Sequence, residues 1–140
     1  CAFFISSEPV FATGIGNVFS PIKGIREILK GYYITIIKPN VAVSTKEAYA
    51  NIIPHKPKIC CRDIIKQPIE TWRDLLVNDF EESVFKLHPE VENIKNKLYE
   101  QGAIYAAMSG SGSSLFAIFK TEPQHLDSCF TDCFTFSAQL

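Results

Sequence analysis

The sequence has almost no net charge and lacks a long apolar run. Its 14 Lys and Arg residues nearly balance its 15 Asp and Glu residues, so the formal net charge at pH 7 is −1. A chain without excess positive charge has no general electrostatic attraction to nucleic acid or to an anionic membrane surface. No apolar run approaches the roughly 20 residues that a membrane-spanning helix needs. We therefore expect a cytoplasmic protein with neither a nucleic-acid partner nor a membrane partner.

The cysteines and histidines lack the spacing of a metal site or of a disulfide framework. The sequence contains 5 Cys, an odd number, and they include the adjacent pair Cys60 and Cys61 but no Cys-x-x-Cys. The 3 His residues have no metal-like spacing among themselves. Structural zinc sites and small disulfide-rich domains both need more regular patterns. We expect reduced thiols and no metal ligands in this chain.

A glycine- and serine-rich stretch between two apolar runs is the most informative part of the sequence. The runs Ile104–Met108 and Leu115–Phe119 predict short buried strands. Glycine permits positive φ and removes Cβ atoms, so a ligand can approach the backbone closely. Consecutive N–H groups in such a turn form a concavity that binds anions. The candidate phosphate loop therefore consists of Ser109, Gly110, Ser111, Gly112 and Ser113.

The same stretch also fits a hairpin turn without any ligand. Gly and Ser are common in turns for conformational reasons alone. The stretch lacks the Gly-Lys-Ser/Thr end of a Walker loop and the spacing of a dinucleotide-binding fingerprint. Composition by itself leaves both interpretations open.

A second candidate segment runs from Pro39 to Tyr49. Ser44 and Glu47 have the spacing of a capping box, which predicts a helix from about Thr45 to Ile52. The N-terminus of a helix carries unpaired N–H groups and a partial positive charge. Thr45 and Tyr49 are four residues apart and so lie on one face of that helix. The alternative is a capped surface helix without a ligand.

Three carboxylates follow a predicted break at Asn78. They are Asp79, Glu81 and Glu82. Acidic residues are favoured in the first turn of a helix, where they interact with its dipole. We expect these three side chains to face water rather than to form an acid–base pair.

The order of predicted elements indicates an α+β domain. Strand and helix patterns are mixed rather than strictly alternating, which favours an antiparallel sheet of about four strands with helices packed on one face. The residues between 55 and 67 read as a loop. The predicted elements are a hairpin at 10–13 and 17–22, a central strand at 31–38, helices at 45–52, 68–76, 80–87 and 89–101, strands at 104–108 and 115–119, a helix at 123–129 and a strand at 134–140.

Four stretches resemble the C-terminal part of the GHMP superfamily of small-molecule kinases. The stretch 106–116, which contains the glycine loop, resembles the third motif of that superfamily. The stretches 1–5, 12–16 and 38–49 resemble, respectively, the segment after the catalytic aspartate, the next turn and the substrate-side segment. Together they are most similar to the diphosphocytidyl-methylerythritol kinases of the non-mevalonate isoprenoid pathway.

The resemblance implies a single, ferredoxin-like domain over residues 1–140. It implies that residues 1–22 are a remnant of the inter-domain or N-terminal-domain segment and that the N-terminal ATP-binding domain is missing from this sequence. The first residue is Cys1 rather than Met, which also favours a fragment of a longer protein. The family's catalytic aspartate would lie just before Cys1, so no catalytic residue is assigned.

The implied activity is ATP-dependent phosphorylation of a hydroxyl on a cytidine-diphosphate-linked methylerythritol. ATP and Mg²⁺ belong to the full-length enzyme, and we expect neither to bind this fragment, which should be inactive alone. The expected partners are this small-molecule substrate and the chain's own N-terminal domain. Because separation from that domain would expose apolar surface, we also expect the fragment to self-associate.

The resemblance assigns roles to individual residues. Thr45 matches a threonine that lines the substrate pocket, and Tyr49 matches an aromatic residue that stacks near the cytosine. Ser109 to Ser113 match the loop that closes the site from the C-terminal side. Asn40 departs from the family, in which glycine is frequent at this position.

Two other functions fit the sequence. The first is another GHMP kinase that acts on a different alcohol, such as homoserine or mevalonate. The second is a non-catalytic α+β binding module. An aspartate and a glycine-rich loop upstream of Cys1 would distinguish a kinase from a binding module.

Overall fold

The computed structural model describes residues 9–140. It begins with a hairpin in which β1 (Val10–Thr13) pairs antiparallel with β2 (Val18–Pro21) as a separate two-stranded sheet. This hairpin and its turn are where the sequence predicts them. The interpretation of Cys1–Ile5 concerns residues outside the described part. The proposed remnant at residues 1–22 and the single-domain boundaries remain predictions.

The main sheet contains four strands among the described residues: β3 (Tyr33–Pro39), β4 (Tyr105–Met108), β5 (Leu115–Phe119) and β6 (Cys133–Gln139). Their order across the sheet is β4-β5-β3-β6. All neighbouring strands are antiparallel. The long apolar and β-branched strand lies between two neighbours, because such side chains pack well on both faces of a sheet. The α+β class with a four-stranded antiparallel sheet is thereby confirmed.

The helices are short except for one hairpin of two longer helices. That pair packs on one face of the sheet, and its second helix begins with a proline, which suits a first-turn position. No helix within residues 9–140 is long and apolar enough to cross a membrane. The cytoplasmic location stays a prediction. The helices are α1 (Ile25–Leu29), α2 (Thr45–Ala50), α3 (Cys61–Ile64), α4 (Trp72–Leu75), α5 (Phe80–Leu87), α6 (Pro89–Glu100) and α7 (Leu126–Cys129), with a 3₁₀ turn at Ile69–Thr71.

Two apolar clusters lie on opposite faces of the sheet. Successive strand residues point to opposite faces, so each buried strand contributes to both clusters. The larger cluster joins Ile37 and Leu115 to α5 and α6, through Val84 and Leu98 among others. The smaller cluster places Trp72 with its neighbours from α1, α3 and the 3₁₀ turn against the opposite face. We expected helices on one face of the sheet. Helices α5 and α6 cover one face through the larger cluster, and the short helical segments also cover part of the opposite face.

Several boundaries differ from the predictions because tertiary packing decides short helices. Helix α3 lies in the segment predicted as a loop, where one turn brings Ile64 into the smaller cluster. Helix α1 has only five residues and was not predicted. Helix α7 begins at Leu126 rather than at the predicted proline, because His125 before it has a left-handed backbone conformation with φ of 60°. A single helical turn has too little periodicity to be recognised in sequence.

Candidate functional site

The glycine loop is a tight connection between β4 and β5. Its ends are joined by the Ser109 N–H, which donates to the Ser114 carbonyl at 2.8 Å, and its turn is closed by the Gly112 N–H, which donates to the Ser109 carbonyl at 3.1 Å. Within residues 9–140 the N–H groups of Gly110, Ser111 and Ser113 have no acceptor. The loop therefore offers backbone donors to a ligand, as an anion-binding turn requires.

Two of the loop glycines adopt backbone conformations that favour glycine. Gly110 has a φ of 57° and Gly112 a φ of 91°. A Cβ on Gly112 would also lie 2.7 Å from the Sδ atom of Met108, which is too close for a normal contact. Both the backbone conformation and the contact with Met108 therefore disfavour a side chain at this position.

The start of α2 lies beside the glycine loop. The Ser44 Oγ accepts the Glu47 N–H at 3.4 Å, which confirms the predicted cap. The Thr45 Oγ1 lies 3.4 Å from the Ser111 Oγ, and the Ser113 Oγ donates to the Val41 carbonyl at 2.5 Å. The tertiary structure thus brings together the two candidate segments that the sequence singles out. It places Thr45 in contact with the loop itself.

Tyr49 lies one turn further along α2 and is 63% exposed. Its ring packs edge to face on Phe80, with 4.8 Å between ring centroids and 74° between ring planes. The two rings are nearly perpendicular, and the exposed part of the tyrosine remains accessible to a ligand. The Phe80 N–H donates to the Asn78 Oδ1 at 2.9 Å. Phe80 is thus bonded to a residue that itself contacts the glycine loop.

Asn78 binds the glycine loop, although the sequence indicated only a break and a new helix cap at Asn78 and Asp79. Its Nδ2 donates to the Met108 carbonyl at 2.7 Å and to the Gly110 carbonyl at 2.9 Å. An asparagine before a helix is a common turn residue, so its local role gave no indication of partners some thirty residues away.

The expectation that Glu81 faces water is wrong. Glu81 is only 5% exposed. Its Oε1 accepts a hydrogen bond from the Met108 N–H at 2.7 Å, and its Oε2 accepts one from the Lys95 Nζ at 2.6 Å. The physical reason is helical periodicity: Glu81 precedes the apolar residues Val84 and Phe85 by three and four positions, so it lies on the buried stripe of α5. This spacing was visible in the sequence.

The neighbouring Glu82 does behave as expected. It is fully solvated, and its pKa is lowered by the hydrogen bond from Lys86 and by the charge of that lysine. One residue along a helix corresponds to a rotation of 100°, which is enough to separate a buried carboxylate from an exposed one. Asp79, the third carboxylate, is also exposed.

Tyr99 supports the strand that leads into the loop. Its hydroxyl donates to the Ala106 carbonyl and accepts the Ala106 N–H, each at 3.1 Å. Burial raises the pKa of Tyr99, so the hydroxyl stays protonated and keeps both bonds at neutral pH. Together with Glu81 it holds β4 on the side away from β5.

The site offers hydrogen-bond donors and an aromatic ring but no metal cluster. Within the described residues, no group of three or more His, Cys, Asp or Glu side chains could hold a metal ion. Backbone N–H groups, serine and threonine hydroxyls and a tyrosine ring suit a ligand that carries phosphate, hydroxyl and aromatic groups.

Residues 62–125 match the family model described as GHMP kinases C terminal. A 4-diphosphocytidyl-2-C-methyl-D-erythritol kinase from Parabacteroides distasonis is 51% identical over 142 aligned residues that cover 100% of this chain. The chain belongs to the GHMP kinase superfamily. The resemblance in the sequence motifs is thereby confirmed, and the chain corresponds to the C-terminal part of these kinases.

Other relatives agree on the family and on the extent of the match. A kinase of the same name from Bacteroides thetaiotaomicron is 56% identical over 87% of this chain and 43% of its own length. The Parabacteroides relative is matched over 51% of its length. The chain therefore spans about half the length of the curated GHMP relatives that it matches.

Solved structures confirm the fold at low sequence identity. A crystal structure of 4-(cytidine 5'-diphospho)-2C-methyl-D-erythritol kinase has a TM-score of 0.74 and 20% identity, and the match covers 96% of this chain and 50% of that one. A homoserine kinase from Cytophaga hutchinsonii has a TM-score of 0.55 and 21% identity, over 92% of this chain and 46% of its own. At such identities, the likeness concerns the GHMP fold alone.

Proposed function

We propose that this chain is the C-terminal, substrate-side domain of an ATP-dependent kinase that phosphorylates a hydroxyl of 4-diphosphocytidyl-2-C-methyl-D-erythritol in non-mevalonate isoprenoid biosynthesis. The observation that carries the proposal is the identity of 51% with a curated relative of that name over the whole chain. The contact between Thr45 and the glycine loop supports it, because it joins the two segments for which the sequence resemblance implies substrate binding.

The glycine loop would hold a phosphate group. Its N–H groups at Gly110, Ser111 and Ser113 have no acceptor among the described residues, and its serine hydroxyls add further donors. Phosphoryl transfer depends on positioning and on electrostatic stabilisation, with little covalent work for the protein. Fixed backbone donors suit this task because they need no reorganisation when charge moves.

Thr45 and Tyr49 would bind the rest of the substrate. The Thr45 hydroxyl lies beside the loop and can form a hydrogen bond with a hydroxyl or phosphate of the ligand. The exposed Tyr49 ring would stack on a pyrimidine, while Phe80 packs against it in a nearly perpendicular orientation. The two residues lie one helical turn apart, a separation that suits a ligand with a base at one end and phosphates beside it.

ATP and Mg²⁺ would be held mainly by other parts of the enzyme. The described residues provide no cluster of metal ligands. When bound, the metal and nucleotide would supply the phosphoryl group and neutralise its charge. This chain would position the acceptor and exclude water. Positioning of reactants contributes roughly 7–11 kcal/mol to catalysis, so a chain with one wall of the site should not turn over alone.

The test compares the full-length gene product with the 140-residue chain. ATP turnover is measured with the cytidylated methylerythritol, with homoserine and with mevalonate. Turnover of the first by the full-length protein and none by the 140-residue chain is expected. Turnover of only another alcohol would retain the superfamily and reject this substrate. A folded full-length protein that phosphorylates no alcohol would favour the binding module.

A further inference from the structure

Two residues, Asn78 in the turn before α5 and Glu81 in its first turn, form hydrogen bonds with the short backbone segment from Met108 to Gly110. Asn78 donates to the carbonyls of Met108 and Gly110, at 2.7 and 2.9 Å. Glu81 accepts the N–H of Met108 at 2.7 Å. Met108 is the last residue of β4, so these bonds fix the point at which the strand becomes the glycine loop. Neither side chain belongs to the loop or to α2.

The bonds from Asn78 determine which way the loop's N–H groups point. A trans peptide unit is planar, and its C=O and N–H point in opposite directions. Because the Gly110 carbonyl is turned toward Asn78, the N–H of Ser111 in the same peptide unit points away from Asn78. Within residues 9–140 that N–H has no acceptor. Asn78 therefore orients a backbone donor that is not used by the described residues.

Each carboxylate oxygen of the buried Glu81 has its own hydrogen-bond partner. Its side chain is 7% exposed, and that of Lys95 is 20% exposed. The two side chains are 2.6 Å apart at Oε2 and Nζ, which leaves Oε1 for the Met108 N–H. A buried carboxylate needs its hydrogen-bond partners, because it cannot regain them from water. The backbone at Met108 is thus held by a side chain that is itself held by α6.

We propose that Asn78 and Glu81 are positioning residues of the kinase reaction. They hold the Met108–Gly110 backbone so that the loop presents the Ser111 N–H to the phosphate-bearing ligand. This inference rests on the proposed function of the loop. It assigns to α5 a part in catalysis that acts through the loop, without contact with the substrate.

The first test is Asn78→Asp in the full-length kinase. Aspartate keeps the Oδ1 acceptor for the Phe80 N–H and so preserves the start of α5. It removes the Nδ2 donor and places a carboxylate oxygen against two carbonyl oxygens. We expect kcat to fall about 10- to 100-fold, which is less than the roughly 100- to 1,000-fold loss on removing a transition-state donor outright, because the Ser111 N–H is displaced rather than removed. We expect KM for ATP to change less than about threefold. Asp79→Asn is the matched control, since Asp79 is exposed and makes no side-chain cap.

The second test separates the two bonds of Glu81. Glu81→Gln retains an oxygen acceptor for the Met108 N–H, whereas Glu81→Leu removes it. We expect kcat of the leucine variant to be at least about tenfold lower than that of the glutamine variant. Glu82→Gln, an exposed neighbour, is expected to keep wild-type kinetics. Thermal unfolding of every variant, with assays well below each midpoint, distinguishes a misplaced loop from a loss of folded protein.

A third measurement does not depend on turnover. Amide hydrogen exchange of the peptide covering residues 104–116 is expected to be faster in Asn78→Asp and Glu81→Leu than in the controls, without any substrate. Unchanged loop exchange, or unchanged kcat in both variants, would overturn the positioning role. If the wild type phosphorylates a different alcohol, the kinetic series is run with that alcohol. In that case the proposed substrate is rejected, and the positioning role is still tested. If it phosphorylates none, the role in catalysis is rejected together with the proposed function.

Discussion

At the scale of single residues, Gly112 is the loop position that is most sensitive to a side chain. Its φ of 91° is unfavourable for any other residue, and a Cβ would lie 2.7 Å from Met108 Sδ, a side chain that is 2% exposed. Gly112→Ala should therefore lower the free energy of unfolding by about 2–3 kcal/mol. Gly110→Ala, where φ is 57° and a Cβ meets no atom within 4 Å, should cost only about 1 kcal/mol.

Urea denaturation of the two glycine variants measures this difference directly. Both variants have the same change in composition, so effects on the unfolded chain largely cancel. Equal losses of stability would mean that Met108 moves aside freely and that only backbone conformation matters at Gly112.

Tyr49 gives a prediction about substrate affinity. Loss of a stacking ring costs about 1–3 kcal/mol per base, so Tyr49→Ala in the full-length kinase should raise KM for the cytidylated substrate roughly tenfold or more. Tyr49→Phe keeps the ring and its edge contact with Phe80, and it should stay close to wild type. Steady-state kinetics at saturating ATP provides the comparison. Equal KM values for the two variants would remove Tyr49 from the substrate site.

Tyr105 makes the stability of the fold depend on alkaline pH. Its hydroxyl donates to the Leu76 carbonyl at 2.8 Å, and burial, followed by the charge of Glu81, raises the pKa of Tyr105 well above its usual value. In the unfolded chain this tyrosine ionises near its ordinary pKa of about 10. Above that pH the folded state binds the extra proton, so the free energy of unfolding falls as pH rises.

The alkaline loss should be smaller in Tyr105→Phe. A single group of this kind contributes a fall of up to ~1.4 kcal/mol per pH unit above its unfolded pKa. Chemical denaturation at pH 9 and pH 11 gives the difference between wild type and variant. The contribution of Tyr99 is common to both proteins and cancels. Parallel pH dependence of the two proteins would contradict the expected burial of the Tyr105 hydroxyl.

At the scale of elements, three chain segments meet at one end of the sheet to form the candidate site. They are the β4–β5 loop, the start of α2 and the start of α5. The cap at Ser44 determines where α2 begins, so Thr45 is the first residue of the helix, and its hydroxyl lies beside Ser111. The relative position of these segments depends on the sheet beneath them.

Substitutions in the central strand β3 should therefore lower stability strongly on one face of the sheet and only weakly on the other. Ile37 is fully buried in the larger cluster, and its replacement by alanine should cost about 2–5 kcal/mol. Ile36, the preceding residue, is 38% exposed, and the same change should cost below about 1 kcal/mol. Both variants change strand propensity equally, so the difference in denaturation midpoint isolates burial. A similar cost at both positions would contradict the assigned register.

At the scale of the whole molecule, part of one sheet face is uncovered among the described residues. Ile36 pairs with Phe136 and Lys38 pairs with Phe134, so these side chains share a face. Phe134 is 64% exposed and Phe136 is 52% exposed. Contiguous apolar surface of this kind is a usual place for association. A formal net charge of −1 gives little electrostatic repulsion between copies.

We expect the 140-residue chain, expressed alone, to self-associate or to bind a hydrophobic dye. The double variant Phe134→Ser and Phe136→Ser should reduce both, as measured by sedimentation velocity and dye fluorescence. Ile53→Ser with Leu87→Ser is a matched control, because those residues are 84% and 52% exposed and lie outside the strands of the sheet. A monomeric wild type that binds no dye would contradict this expectation.

The sequence alone determined the features that depend on local chemistry. Short apolar runs predicted β4 and β5, a β-branched and aromatic run predicted β3, and a closing strand was predicted at β6. The cap at Ser44 predicted the start of α2. The glycine pattern identified the loop, and together with three other short motifs along the chain it indicated the GHMP family. Each of these depends on residues within a few positions of one another, whose conformational preferences act before the chain folds.

Only the tertiary structure decided which residues support the site. The bonds from Asn78 and Glu81 to Met108 span 30 and 27 residues. The burial of Glu81 contradicted our expectation. Its spacing to Val84 and Phe85 places it on the apolar stripe of α5, but only the tertiary structure shows that Met108 and Lys95 are its partners there. Such contacts form when the sheet and helices come together, and their energy depends on burial, which no short segment possesses by itself.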